Sequence, residues 1–447
     1  MNTILFTLGD NHELALDIIN YLTIGIILII LLFFSWIYFL YFGVTFIKDK
    51  RLNKVKPKNK FAVLVPARYE SKVIRNLLDS LTKQDYPKKL FDIYVVVENK
   101  HDPTVQIVES YGCGFYVVIR KHIKNRKTKG FALDDAYQYI QSINKKYDGY
   151  VVFDADNVVS SNYLSAMNSI KCNGYQIGVG YRNFTNLKNN WISLSSGLLF
   201  TFINSYTSRA RSILFSKASL TGTGYFIDSK IVDDAGGWIW NGMTEDVELT
   251  YYAYKNNIKM KYYPYAEYYD EQATDYSTLH KQHVRWIWGY FVDFNKKFET
   301  YNYEYNPKNK SLKSKVSNYE QKYGIYPFLV IVIVELLAGL TDFIIFVLSF
   351  IEGLKIYIVM NAFFFTLLHF GIAYLLFVLL ALFIIATNNK RLKLNFKEAF
   401  VAAFTYPILF FDFLLAFLDG LIHKNKRKNR KVIEHSGEIT NKDVLTS

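Results

Sequence analysis

Between residues 61 and 153 the chain alternates short β-branched and aromatic runs with stretches of helical period, and this rhythm restricts the choice of fold more than any other feature. Phe61–Val65 reads as a strand stopped by Pro66, after which Val73, Leu77, Leu78 and Leu81 fall on one helix face. Asp92–Val97 and Tyr116–Ile119 read as further strands, Ala132–Ile143 as a helix and Tyr150–Phe153 as a fourth strand. Strands joined by helices in this way imply an α/β fold with a mostly parallel sheet covered on both faces. Ligands of such sheets sit beyond the carboxyl ends of the strands. Three polar clusters fall there: Pro66-Ala67-Arg68-Tyr69-Glu70, Glu98-Asn99-Lys100-His101-Asp102 and Asp154-Ala155-Asp156.

The last cluster carries the most chemistry. With a side-chain period of two, Asp154 and Asp156 leave a strand end on the same side. Two carboxylates aimed at one point repel unless a cation lies between them. A hard divalent ion such as Mg²⁺ or Mn²⁺ suits oxygen ligands and commonly brings phosphates with it. The bland alternative is a solvated turn, which Asp and Asn also favour.

Three downstream motifs bear on that choice. Thr221-Gly222-Thr223-Gly224-Tyr225 is a glycine-rich turn of the kind that lets a backbone approach a ligand. Thr244-Glu245-Asp246 opens a helical pattern, where acids also serve simply as partners of the helix dipole. Gln282-His283-Val284-Arg285-Trp286 places Gln282, Arg285 and Trp286 on one helix face. Arginine can grip a diphosphate through two parallel hydrogen bonds, and tryptophan offers a flat apolar platform. A surface arginine beside a structural tryptophan is the plainer reading. Residues 184–220 repeat apolar side chains at helical spacing, either as amphipathic helices on a membrane surface or as ordinary packing on the sheet.

The flanks point to a lipid bilayer. The 447 residues are 51% hydrophobic yet carry a net charge of +14, and the basic residues crowd at the ends of apolar runs. No basic face or nucleic-acid motif accompanies them, so nucleic acid is not an expected partner. Cys113 and Cys172 form neither a metal-ligand pair nor a disulfide framework. After a short extracytoplasmic segment, 1–20, the uncharged run 21–47 is roughly 40 Å long as a helix and spans a core of about 30 Å. The basic cluster that follows places residues 48–290 in the cytosol. Residues 291–324 read as a polar linker, and 325–387 as two more transmembrane helices, with Glu335 and Asp342 turned away from lipid. Basic flanks on both sides of 398–422 favour a re-entrant or interfacial segment broken near Pro407 over a fourth crossing. The tail 423–447 is basic and cytosolic.

In this order and spacing the motifs resemble family 2 glycosyltransferases of the GT-A fold, above all the membrane-integrated branch with cellulose, chitin, hyaluronan and poly-N-acetylglucosamine synthases. The resemblance covers about residues 61–290. It implies that Pro66, Ala67, Arg68 and Glu70 hold the uridine of a UDP-sugar donor, with Glu98 where the family usually has an aspartate, and Lys129 in a turn near the nucleotide. Asp154 would contact the ribose or the metal and Asp156 would bind Mg²⁺ or Mn²⁺. Asp246 would be the general base beside Glu245, and Gln282 and Arg285 would clasp the diphosphate. Trp286 would stack under the acceptor sugar, with Thr244, Gly222, Thr223 and Gly224 lining its path. The implied activity is inverting, metal-dependent and processive, building a β-linked polysaccharide at a bacterial plasma membrane, with room for accessory export subunits. A non-processive transfer to a membrane lipid is the competing enzyme, and a catalytically silent scaffold the competing class.

Overall fold

The structure, a computed structural model, describes residues 40–121, 126–298 and 356–423, with isolated positions at 21–25 and 340–347. Residues 1–20, most of 21–39, the stretch 299–339 with Glu335, Asp342 and the tail from 424 lie outside the described residues. The chain forms two compact units, Val44–Lys308 with Ile384–Ser447, and Met1–Gly43 with Asn309–Phe383.

The larger unit is built on β1 (Phe61–Pro66), β2 (Phe91–Val97), β3 (Phe115–Ile119), β4 (Gly149–Val152), β5 (Val158–Val159), β6 (Ile177–Phe184), β7 (Tyr225–Asp228) and β8 (Met260–Asp270). They make one sheet in the order β3-β2-β1-β4-β7-β6-β8-β5. The block β3-β2-β1-β4 is parallel, as the alternation of the sequence implies. Beyond β4 two strands are reversed, β7, which runs antiparallel to both β4 and β6, and β5, antiparallel to β8, while β6 and β8 pair in parallel, so the sheet is mostly parallel, as expected. Successive residues of a strand point to opposite faces. Ala62, Leu64, Tyr94, Val96 and Val152 therefore enter one core, while Phe61, Val63, Val65, Ile93, Val95 and Val151 enter the other.

Helices α1 (Ile74–Thr82), α2 (Thr104–Glu109), α3 (Lys129–Ser142) and α4 (Tyr163–Cys172) accompany the first six strands. Ile74, Leu77, Leu78 and Leu81 form the buried face of α1. Next come α5 (Trp191–Phe202), a π-helical segment Ile203–Ser208, α6 (Arg209–Phe215), α7 (Ser229–Asp234), α8 (Glu245–Lys255) and α9 (Tyr276–Phe298). Helix α9 continues to Phe298, past the expected start of the linker at 291.

Two long apolar helices follow, α10 (Ile356–Leu392) and α11 (Phe396–Ile422), each able to cross a membrane by length and composition. Helix α11 is not broken at Pro407. A proline removes its own N–H from the helix ladder and usually bends or breaks it. Here Pro407 lies on the packed face of α11, with Ala402, Ala403, Tyr406 and Leu409, and that packing carries the helix through. The seat for this face is α5 and α9: Lys188 pairs with Glu398 at 2.9 Å, Ser195 bonds Thr405 at 2.9 Å, and the indole of Trp288 lies against Gly420. All residues of helix α5 but Trp191 and Leu199 are buried, with α11 packed on it. The opposite face of α11 exposes Phe396, Phe400, Phe404, Ile408, Leu415, Leu418 and Ile422.

Candidate active site

Strand β4 stops at Val152, so the two aspartates do not leave a strand end in alternation; they lie in the turn 154–157, closed by the Asn157 N–H on the Asp154 carbonyl at 3.2 Å. The turn is held from beneath by Thr223 of the glycine-rich turn and by Asn157, Asp270 and Arg182. Asp154 N–H donates to Thr223 Oγ1 at 2.9 Å, and the Thr223 hydroxyl donates to Asn157 Oδ1. Asn157 Nδ2 donates to Asp270 Oδ1 at 2.8 Å, and Asp270 is ion-paired with Arg182, whose Nη1 also donates to the Thr221 carbonyl at 3.1 Å. Asn157, Thr223 and Asp270 are buried. Thr223 thus joins the two loops from inside. Gly224 is also structural: its φ is +65°, and a Cβ there would overlap the Tyr268 ring.

The residue that ties the site together is Lys129, at the first position of α3. Gly130 permits its placement, since a Cβ there would strike the Trp240 carbonyl, and Thr128 Oγ1 fastens the same loop by donating to the Asn241 carbonyl at 2.7 Å. Lys129 Nζ forms an ion pair with Asp154, donates to the Gly222 carbonyl at 2.8 Å and lies 3.9 Å from Glu245. Burial works against its charge, but Asp154, Glu245 and Asp246 outweigh that and hold its pKa above the ordinary lysine value.

Glu245 and Asp246 begin α8, as the sequence implies, and Glu245 is buried. Gly222 adopts φ +86°, and a Cβ there would stand 3.9 Å from Asp246 Oδ2. The glycine turn and the acid pair therefore share one wall. Burial, then repulsion from Glu245, pushes the Asp246 carboxyl up to about 7, against the opposing pull of helix N–H groups and Lys129. A carboxylate tuned near neutrality is suited to accept a proton.

Helix α9 meets this wall side-on. Gly289 allows contact with Thr244, since a Cβ there would lie 2.6 Å from Thr244 Cγ2. Gln282, Arg285, Trp286 and Gly289 share one helix face. Gln282, Arg285 and Trp286 are half-buried on it, and Trp286 meets Phe200 edge-on, with ring centres 5.9 Å apart. Phe200 carries the Arg182 guanidinium over its face at 3.7 Å. At the far end of the parallel block, Pro66 ends β1 and Ala67 N–H donates to the Val96 carbonyl at 2.8 Å. Tyr69 adopts φ +59°, its N–H bonded to the buried Asp102 at 2.9 Å, and Glu70 N–H donates to Thr104 at 3.2 Å. Glu98 lies 3.6 Å from both Arg68 and Arg120. The three strand-end clusters thus sit on one edge of the sheet.

The sequence model of a family described as Glycosyltransferase like family 2 matches residues 57–289, more than half of the chain. The chain belongs to that family. Among curated proteins, this glycosyltransferase-family chain is 29% identical over 252 residues to a probable glycosyltransferase, YdaM, of Bacillus subtilis, covering 53% of this chain and 56% of that one. It is 24% identical over 257 residues to a beta-monoglucosyldiacylglycerol synthase of Nostoc sp., covering 55% and 53%. The chain spans about half the length of the curated relatives it matches. The solved mannosyltransferase PcManGT of Pyrobaculum calidifontis, in complex with GDP-Man and Mn²⁺, superposes with a TM-score of 0.56 at 13% identity, covering 91% of this chain and 99% of that one. That likeness supports the GT-A fold and nothing finer.

The residues present suit a divalent ion. Asp154 and Asp156 offer hard oxygen donors within one turn, and no cluster of three or more protein ligands occurs among the described residues. Such a donor set fits Mg²⁺ or Mn²⁺ held by one or two carboxylates and completed by substrate phosphates. Arg182 is hidden in the sequence because Gly178 and Gly180 dilute the strand signal of β6, and Asp270 because Pro264 interrupts that of β8. Their one visible trace is a charged residue near the end of an apolar strand.

Proposed function

We propose that this protein is an inverting glycosyltransferase that moves a sugar from a nucleoside diphosphate sugar to an acceptor hydroxyl at a membrane surface. The observation that carries this reading is Asp246, a carboxylate tuned near neutrality, on the wall that Lys129 ties to the aspartate turn. In the proposed step the acceptor oxygen attacks the anomeric carbon while Asp246 takes its proton. The bond to the phosphate oxygen breaks, and the electron pair leaves on the nucleoside diphosphate. Gln282 and Arg285 hold the diphosphate, where negative charge grows as that bond breaks. A bound Mg²⁺ or Mn²⁺, seated on Asp156 and Asp154, would neutralise further charge on the leaving group. Attack opposite the leaving group turns an α-linked donor into a β-linked product.

The motif Gln282-His283-Val284-Arg285-Trp286 supports a growing polysaccharide as acceptor, with Trp286 as its platform. A membrane lipid as acceptor is the second reading, and α11 favours it. That helix lies along the catalytic unit from Glu398 to Gly420 and turns an apolar stripe outward. A helix covered along its length by a water-facing domain suits a place in the membrane surface better than a crossing. The catalytic unit would then rest on the cytosolic leaflet of a bacterial plasma membrane.

The test offers protein in lipid vesicles UDP-glucose, UDP-N-acetylglucosamine, UDP-galactose, UDP-glucuronate and GDP-mannose, with Mn²⁺ or Mg²⁺, and sizes the product. A high-mass polymer supports chain growth and a glycolipid of fixed size the lipid reading. No turnover with any donor refutes the proposal.

A further inference from the structure

We propose that Asp412, on the apolar helix α11, is a positioning residue that sets the rotation of α9 and so holds Gln282 and Arg285 at the donor diphosphate. The inference rests on the proposed reading of those two residues. It starts from a buried polar cluster that the transfer chemistry does not use. Asp412 is buried on the packed face of α11 with Ala402, Ala403, Tyr406, Leu409 and Ala416, and Asp419, two turns on, reaches His280 Nε2 at 3.4 Å. An unpaired carboxylate at Asp412 is costly, so its partners must be supplied. Helix α9 supplies three. Tyr276 Oη donates to Asp412 Oδ1 at 2.6 Å, His280 Nδ1 meets the same oxygen at 2.6 Å, and His283 Nδ1 meets Oδ2 at 2.5 Å.

The spacing of these partners gives the cluster its leverage. Tyr276, His280 and His283 occupy positions i, i+4 and i+7, one face over two turns of α9. Three bonds to one carboxylate fix both the height and the rotation of that face. His283 is itself the second residue of the motif, so the adjoining face with Gln282, Arg285 and Trp286 turns with it. His283 also stacks on Phe413 of α11, ring centres 3.9 Å apart, and lies 5.4 Å from the Trp286 ring. A second anchor lies one turn on, where Trp288 stacks on Phe417 at 5.3 Å.

The bonding pattern fixes the chemistry of the pair. His283 is fully buried, and its Nε2 has no hydrogen-bond partner. A doubly protonated ring would bury an unsatisfied N–H, so His283 is neutral with its proton on Nδ1. The site thus presents donors to both oxygens of Asp412. Asparagine at 412 has the same volume but sets an NH₂ against one of those donors. It breaks the match without opening a cavity.

The test compares nucleotide binding by the whole protein in lipid nanodiscs, using UDP and UMP, with GDP and GMP in parallel. UMP reads the nucleoside end, and the ratio of UDP to UMP affinity reads the grip on the second phosphate. Wild type should prefer the diphosphate, and Arg285→Ala should lose that preference. Asp412→Asn should cut the ratio by about tenfold or more, the scale on which a small remote displacement acts, while UMP affinity changes less than about twofold. Tyr276→Phe, which removes one donor and is the milder variant, should cut the ratio less and still measurably. Equal loss of UMP and UDP in both variants would mean a merely structural role and overturns the proposal. A wild-type ratio in either folded variant overturns it as well. If wild type shows no diphosphate preference with either base, the proposed function fails, and the positioning role falls with it.

Discussion

Replacing Glu245 by glutamine should move the acid side of the pH profile toward lower pH. Asp246 accepts a proton only when ionised, so kcat/KM rises as pH passes its pKa in the free enzyme. That pKa is pushed from 3.8 up to about 7, with burial the larger raising cause and the neighbouring Glu245 the second. Glu245 is a raising cause second only to burial, so Glu245→Gln should move the limb to lower pH. At pH 6 a carboxyl with a pKa of 7 is about one-tenth ionised, and one at 6 is half ionised. Relative to its own plateau, the variant should therefore gain about fivefold at pH 6 when the limb moves down one unit, from 7 to 6. The phosphates of a nucleotide sugar do not titrate in this range, and the limb belongs to the protein. The assay is initial rate at low donor concentration between pH 5 and 9. Plateau height is not the readout, because Glu245 also lies 3.9 Å from Lys129. A limb that stays near 7, or moves up, refutes the account of Asp246.

Three further outcomes are expected. Asp246→Asn should bind UDP as wild type does and lose transfer by at least about a hundredfold, the usual contribution of a general base; retained turnover would remove Asp246 from the mechanism. Mn²⁺ should strengthen UDP binding to the wild type and fail to do so in Asp156→Asn, as read by calorimetry, and a full metal response in the variant would place the ion elsewhere. Thr223→Val keeps the shape of the bracket but removes both hydrogen bonds of the hydroxyl, leaving the Asp154 N–H and Asn157 Oδ1 only their mutual 3.2 Å bond, so stability should fall by about 1–2 kcal/mol; an unchanged urea midpoint would show that the turn holds itself.

The parallel half of the sheet was legible because each strand there is a run of β-branched or aromatic residues bounded by polar clusters. The part of the sheet beyond β4 was not: β6 carries Gly178 and Gly180, β7 has four residues, and β8 contains Pro264. The acids of the site were legible as residue types, but their support was not. Nothing in the local sequence says that Asn157 bonds Asp270, or that Thr223 faces inward, since both partners arrive from distant strands. Nor does the local sequence give Lys129 its central place, which depends on Gly130 letting the Trp240 backbone close on α3. The helix through Pro407 was misread for a related reason. A proline weighs against a helix locally, and only the tertiary seat of α11 outweighs it.

On the proposed reading, donor and acceptor approach the two acids from different environments. The nucleoside end lies at β1 and β2, where Arg68 and Arg120 flank Glu98, and Arg68 is exposed to water. The platform Trp286 meets Phe200 of α5, and both α5 and α9 lie beneath α11. A charged nucleotide sugar can enter from solution, while the acceptor comes from the side that turns an apolar stripe outward. The two routes meet where Gly222 places backbone, not a side chain, beside Asp246. Any side chain at 222 would be strained at φ +86° and would project at the base, so Gly222 is the residue of the glycine turn that the acceptor path requires. Thr223 and Gly224 then serve the fold, and the acceptor side of the site reduces to Gly222, Thr244 and Trp286. A polymer and a glycolipid would both use that path, and product size is the measurement that separates them.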